Sequence, residues 1–255
     1  NHALSQHNHL APTIENITQN IIYKRGPQPK NQYYALNDLD KKLEKYLNYD
    51  GGYFIELGAN DGVNQSNTLY FEKQKGWRGI LIEPIPHNYL LCLKNRSKNN
   101  QIFCNACVSD TYKEKFVEII FSNLMSTPIG IESDIAEPVD HASSGSRFLK
   151  QDEEIFTFGA VATTLTKILE KSNAPKSIDL LSLDVEGAEI EVLKGINHNI
   201  YRFKYMLIEC RNIEKLNIFL EGNGYELVDT LSIHDYLFRD KNCNRGNKAD
   251  VAQQK

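Results

Sequence analysis

Three features of the chain predict an α/β fold built on an open, mostly parallel sheet. Five short apolar runs finish in or just before a carboxylate, at Glu56, Glu83, Asp110, Asp184 and Glu209, and stretches of helical periodicity separate them. Continuous apolar runs suit parallel strands, which are buried on both faces. The first run opens into Gly58-Ala59-Asn60-Asp61-Gly62, a glycine turn ahead of a helix. Two more short runs, 225–228 and 236–238, read as a terminal antiparallel hairpin. At 255 residues the chain is long enough for one such domain with a full core plus an extension, and short for two.

Taken in order, residues 1–36 form a polar arm interrupted by Gly26-Pro27-Gln28-Pro29. The domain then spans 37–241. From Asn37, read as an N-cap, Leu39, Leu43, Tyr46 and Leu47 recur at helical spacing until Asp50-Gly51-Gly52, giving a helix expected on the sheet edge. After the glycine turn a helix is expected from 64–67, carrying Leu69, Tyr70 and Phe71 and closing at Gly76. The second strand is 79–83, and Pro84-Ile85-Pro86 starts a helix with Tyr89, Leu90, Leu91 and Leu93. The third strand is read as 102–108, with an extra strand at 116–122. Residues 123–152 break every periodicity with Pro128, Gly130, Pro138, Ser143, Ser144 and Gly145. A loop of that length covers a site or is disordered, and it is read here as a substrate lid. A strand at 156–162 and a helix at 164–171 lead to the fourth strand, 178–184, and the helix after it turns Ile190, Val192 and Leu193 inward. The fifth strand is 203–209, and 242–255 is a polar tail.

Composition excludes several classes. A formal charge of −4 and a pI near 6.0 give no global attraction for a polyanion, so no nucleic-acid partner is expected. Hydrophobic residues make up 41% and no run reaches bilayer length, so no transmembrane segment is expected. The five cysteines, Cys92, Cys104, Cys107, Cys210 and Cys243, are an odd set suited to packed thiols in a reducing compartment. Asn1-His2-Ala3-Leu4 has neither a basic nor an apolar leader region, which adds to a cytoplasmic expectation. Cys104-Asn105-Ala106-Cys107 has the C-x-x-C spacing without a second pair or histidine cluster to complete a zinc site. The absence of an initial Met reads as one domain of a longer chain.

The glycine turn carries the first chemical inference. Glycine lets backbone N–H groups approach a ligand closely, and Gly58-x-x-x-Gly62 is not the G-x-G-x-x-G of dinucleotide binding. With Glu56 two residues ahead, the pattern favours S-adenosylmethionine (SAM) over NAD. Glu56, Gly58, Asn60, Asp61 and Gly62 are thus candidate cofactor contacts. Glu83 lies about twenty residues on, where a ribose-binding acid is expected. Ser66, Asn67 and Thr68, read at a helix start, suit the SAM carboxylate, and a plain N-cap set accounts for them equally well.

The blocks FIELGANDGVNQSNTLYFEKQKGWRGILIEPIP, NACVSD and LLSLDVEGAEIEVLKGI resemble the FkbM family of SAM-dependent methyltransferases, over about 51–224. The resemblance implies a Rossmann-like class I methyltransferase fold: a mostly parallel seven-stranded sheet with helices on both faces and a terminal antiparallel hairpin. It implies O-methylation, with the hydroxyl of a sugar in a glycan or glycoconjugate as expected acceptor; glycosyltransferase activity is an expected companion in a longer chain. It also places Asp110 against the adenine, although a turn residue is the plainer reading.

A sugar hydroxyl is a very weak acid and needs a base or a metal. By analogy with metal-dependent O-methyltransferases, Asp184, Glu209 and Asn212 form an oxygen site for Mg2+ or Mn2+. The metal-free alternative makes Asp184, Glu186 or His141 the base, and both alternatives stand. Glu186 equally suits the start of the next helix. His141 and Arg147 are the lid residues expected to meet substrate, although a lone loop histidine is more often solvated. Two rival classes remain: a methyltransferase fold kept only for binding, which the intact acids and glycines oppose, and an NAD(P) oxidoreductase, which the missing fingerprint opposes.

Overall fold

The computed structural model describes residues 32–243. Most of the expected arm over 1–36 and tail over 242–255 lies outside them. In chain order the elements are α1 (Leu39–Leu43), β1 (Tyr53–Leu57), α2 (Leu69–Lys75), β2 (Arg78–Ile82), α3 (Pro86–Asn95), β3 (Gln101–Phe103), β4 (Ala106–Cys107), β5 (Phe116–Phe121) and β6 (Thr127–Ile129). They continue with α4 (Pro138–Ser144), β7 (Phe156–Thr163), α5 (Leu165–Lys171), β8 (Ser177–Leu183), α6 (Glu189–Lys194), β9 (Arg202–Glu209), α7 (Ile213–Gly222), β10 (Tyr225–Thr230) and β11 (Asp235–Asp240).

Seven strands form the main sheet in the order β10-β11-β9-β8-β1-β2-β3. Neighbours from β3 to β9 pair in parallel, and β11 runs against both β9 and β10. This is the Rossmann-like methyltransferase arrangement with its terminal hairpin. Alternate residues feed two cores: Ile55, Leu57, Leu181, Leu183 and Met206 pack under α5, α6 and α7. Phe54, Leu81, Leu180, Tyr205 and Leu207 pack with Leu39, Leu43, Tyr70, Phe71 and Cys92. Burial on both faces is why these strands read as apolar runs rather than alternating ones.

The structure corrects four boundaries. The first helix ends at Leu43 and contributes to a core on the sheet face rather than at its edge. Asn37 is not its N-cap: Asp38 holds that position and both have positive φ, 53° and 55°. The helix after the glycine turn starts at Leu69, because 63–67 are spent on a turn in which Gln65 has φ 60°. The third strand divides, β3 finishing the main sheet while β4 joins a second one.

That second sheet has the order β4-β7-β5-β6. It absorbs most of the chain between β3 and α5, and residues 123–152 supply β6, α4 and two 3-10 turns, Asn123–Met125 and Gly145–Phe148, rather than a structureless loop. The sheet is closed by parallel pairing of Ala106 with Ala162 and Cys107 with Thr163. Cys92, Cys107 and Cys210 are buried, and the five cysteines are free. Among the described residues no helix is long and apolar enough to cross a membrane.

Candidate active site

In an open parallel sheet the crevice lies beyond the strand ends where the strand order reverses. Here the chain proceeds outward from β1 through β2 to β3 and then returns to β8 on the other side. A cavity of about 380 Å3 opens there, in the size class of small-molecule sites. The β1 and β8 ends meet so closely that a Cβ on Gly58 would stand 1.8 Å from the Asp184 carbonyl oxygen. With φ at 75°, Gly58 therefore needs to be glycine on both steric counts.

Glu83, 3% exposed, stands at the β2 end. Its two carboxylate oxygens each take one main-chain N–H, from Asn60 at 2.8 Å and from Ile85 at 2.9 Å. Burial, opposed by those donors, pushes its pKa up to about 8. Each oxygen keeps a lone pair for a ligand hydroxyl. Asn60, at φ 47°, is held in its strained turn by that contact and lines the cavity with Gly58 and Ala59.

Glu56 also borders the cavity but is otherwise engaged. Its carboxylate accepts from Ser66 Oγ at 2.9 Å, the Asn67 N–H at 3.0 Å, Thr68 Oγ1 at 2.7 Å and Arg96 Nη1 at 2.9 Å. Arg96 is itself buried and donates to Glu72 at 2.7 Å. Glu56 and Ser66, expected as cofactor contacts, both line the cavity and also form a buried polar network beneath the glycine turn. Asn67 spans both roles. Its N–H serves Glu56 and its Nδ2 donates to Ser182 Oγ at 3.0 Å, while Oδ1 is buried without a partner and the residue lines the cavity.

The opposite end is acidic. Asp184 is half-buried at the β8 end, its pKa raised well above the ordinary range by desolvation and then by Glu209, Glu186, Glu189 and Asp235. Burial, then Glu186 and Asp235, also raise Glu209, with Arg211 and a hydrogen bond to Asp184 opposing. Two neighbouring carboxylates that hold a proton more tightly than usual can share one. Glu186 follows in a turn with φ 53°, a left-handed conformation that aims its carboxylate at His141 Nε2, 2.8 Å away. Arg211 Nη2 lies 3.3 Å from Glu186 and 3.6 Å from Glu209, tying the two acids together. His141, Glu186, Asp184, Glu209 and Arg211 all line the cavity.

Four expected site residues stand elsewhere. Asp61 turns its Oδ1 onto the Val63 and Asn64 N–H groups, at 2.9 and 2.7 Å. Gly62 makes room for Arg96, whose Cγ would lie 2.9 Å from an added Cβ. Asp110 is exposed outside the cavity, because β3 ends at Phe103 and the chain crosses to β4 before reaching it. Asn105, Ala106 and Cys107 line the cavity instead. Asn212 uses its side-chain oxygen to cap α7, accepting from the Lys215 N–H at 3.1 Å.

The donor sets decide what the site suits. For SAM they fit: Gly58 forms a cradle that a Cβ would fill, and the orphaned Asn67 oxygen awaits a donor such as an ammonium. For Mg2+ or Mn2+ they do not, and that expectation is corrected. Asn212 is committed to its helix, the Arg211 guanidinium sits where a cation would neutralise the acids, and among the described residues no group of three metal-ligating side chains assembles. Sequence reasoning missed Arg211 and Arg96. The signal for Arg211 was there, a cation two residues beyond a strand-end acid; Arg96 gave none, since a mid-chain arginine reads as surface.

The family description "Methyltransferase FkbM domain" matches residues 56–244. No curated protein matches the chain. Among solved structures it is similar to a precorrin-6y C5,15-methyltransferase from Geobacter metallireducens GS-15, at 11% identity and TM-score 0.41 over 79% of this chain and 85% of that one. It is similar to a SAM-dependent methyltransferase from Aquifex aeolicus, at 11% identity and TM-score 0.39 over 79% and 86%.

Proposed function

The chain belongs to the FkbM methyltransferase family and is a SAM-dependent methyltransferase, and from that premise we propose that it methylates a hydroxyl group, with a sugar of a glycan or glycoconjugate as acceptor. The observation that carries the hydroxyl is the His141–Glu186 contact of 2.8 Å inside the cavity. A histidine oriented by a carboxylate is the arrangement that removes a proton from a weakly acidic alcohol. With Nε2–H donating to Glu186, the lone pair is left on Nδ1. Arg211 holds Glu186 in place, and Asp184 with Glu209 keeps a polar floor beside it.

SAM, when bound, supplies an electrophilic methyl on a sulfonium. On this reading Glu83 takes the ribose hydroxyls with its remaining lone pairs, Asn67 Oδ1 receives the ammonium, and Asn105 to Cys107 border the adenine. The 123–152 segment forms the acceptor wall through Leu124, Met125, His141 and Arg147, which line the cavity. The reading is tested by incubating candidate glycans with methyl-labelled SAM and locating the label by mass spectrometry, alongside calorimetry of SAM binding. Label on a sugar oxygen, with Glu83→Ala weakening SAM by about tenfold or more, is expected from a buried polar contact left unpaired. SAM binding with no transfer to any hydroxyl would return the protein to a binding role.

A further inference from the structure

The charges lining the cavity divide between its two walls. The strand ends contribute acids: Glu56 pairs with Arg96, Glu83 accepts main-chain N–H groups, Glu186 and Glu209 lie against Arg211, and Asp184 stands beside Glu209. The second-sheet wall contributes Arg147. Among the described residues Arg147 forms no ion pair and no hydrogen bond, and its guanidinium lies over the Phe148 ring, 4.8 Å from the centroid. It stands on the Gly145–Phe148 turn, which is fixed by close packing: a Cβ on Gly145 would come within 2.4 Å of Ser122 Oγ and 2.8 Å of Met125 Cβ. The backbone of that turn is therefore placed, and the exposed guanidinium has no protein hydrogen-bond partner among the described residues.

An arginine presents a planar fork that matches a carboxylate or phosphate in bidentate fashion, and stacking on an aromatic ring holds the fork in one plane. The acids on the far wall suit the net positive charge of SAM, so the cation on this wall is left for the other substrate. We propose that the acceptor carries an anionic group, a carboxylate or a phosphate, which Arg147 takes; the inference rests on the acceptor-methylation reading above. Arg147 then sets which sugars enter and in what orientation they meet His141.

The test is calorimetric titration of the SAM-loaded protein with glucose, glucuronate and glucose 1-phosphate. One or both anionic sugars should bind about tenfold or more tightly than glucose, and the preferred one identifies carboxylate or phosphate as the recognised group. Arg147→Gln should erase that preference while leaving the far-ultraviolet circular dichroism unchanged, and Arg147→Lys should restore part of it. Equal affinity for all three sugars in the wild type, including no measurable binding of any, overturns the proposal, as does a preference that survives Arg147→Gln. Methyl transfer from labelled SAM is measured separately. Turnover of neutral sugars without anion preference would overturn the role of Arg147 alone, whereas failure to bind SAM or to label any oxygen would count against the function itself.

Discussion

Gly58 and Asp184 meet main chain to main chain, the Asp184 carbonyl oxygen lying 1.8 Å from where a Cβ on Gly58 would stand. The contact joins the ends of β1 and β8, and the cavity floor depends on it. Gly58→Ala combines that overlap with a left-handed backbone that alone costs about 1–3 kcal/mol. Chemical denaturation should show a loss at least that large, and calorimetry should show no SAM binding. A variant of wild-type stability with normal SAM affinity would contradict this account of the crevice.

Arg96 is the sole cation in contact with the buried Glu56 among the described residues, and it also pairs with Glu72. Removing one member of a buried pair leaves an uncompensated charge, at about 3–5 kcal/mol. Arg96→Ala should therefore unfold at much lower denaturant than wild type. A change below about 1 kcal/mol, the size of a surface ion pair, would show that the network contributes little.

Glu189 accepts from the Val185 and Gly187 N–H groups through Oε1, and burial pushes its pKa up to about 8. A carboxyl whose pKa is raised on folding stabilises the fold fully below its unfolded value, and that stability is lost as pH rises through the folded value. The ligand-free protein should lose stability from about pH 4.5 to about pH 8, where Glu83 adds a second contribution of the same sign. Glu189→Gln keeps the acceptor oxygen and should flatten part of that slope in denaturation measured across pH. An unchanged slope would remove Glu189 from the explanation.

His141 should matter to turnover alone. General-base catalysis contributes about 10^2–10^4-fold, so His141→Ala should lower kcat by that order while SAM affinity stays within about twofold. Glu186→Gln should reproduce most of the loss, since it takes away the carboxylate that orients the ring. Loss of SAM binding in either variant would place the pair in the cofactor site instead.

Chelation should leave activity in place. Arg211 supplies the positive charge between Glu186 and Glu209, and Asn212 serves its helix. Turnover in EDTA should match untreated protein, and Asn212→Ala should cost about 1 kcal/mol of stability without lowering kcat. Inactivation by EDTA with recovery in Mg2+ would reinstate Asp184 and Glu209 as metal ligands.

The main sheet was legible because its parallel strands are buried on both faces, which leaves uninterrupted apolar runs at β1, β2, β8 and β9. The second sheet was not: β4 has two residues and β6 three, too short to impose a period. For the same reason 123–152 read as a loop although it folds. At the site, Gly58, Asn60, Glu83 and Asp184 were legible as residues following a strand. Glu56 was placed on the right edge, but its pairing with Arg96 spans 40 positions and leaves no mark in the sequence. Asp110 failed because the third apolar run hides a crossing between two sheets.

The pairing of Ala106 with Ala162 and Cys107 with Thr163 brings the beginning and end of the second-sheet excursion side by side. A stretch whose ends are neighbours costs the domain that hosts it a closure entropy that rises only slowly with its length. The main sheet and the glycine turn lie outside that stretch, while His141 and Arg147 lie inside it. On the proposed reading the excursion is thus a cassette, in which acceptor choice changes by grafting the corresponding stretch from a relative while the methyl-donor half stays as it is.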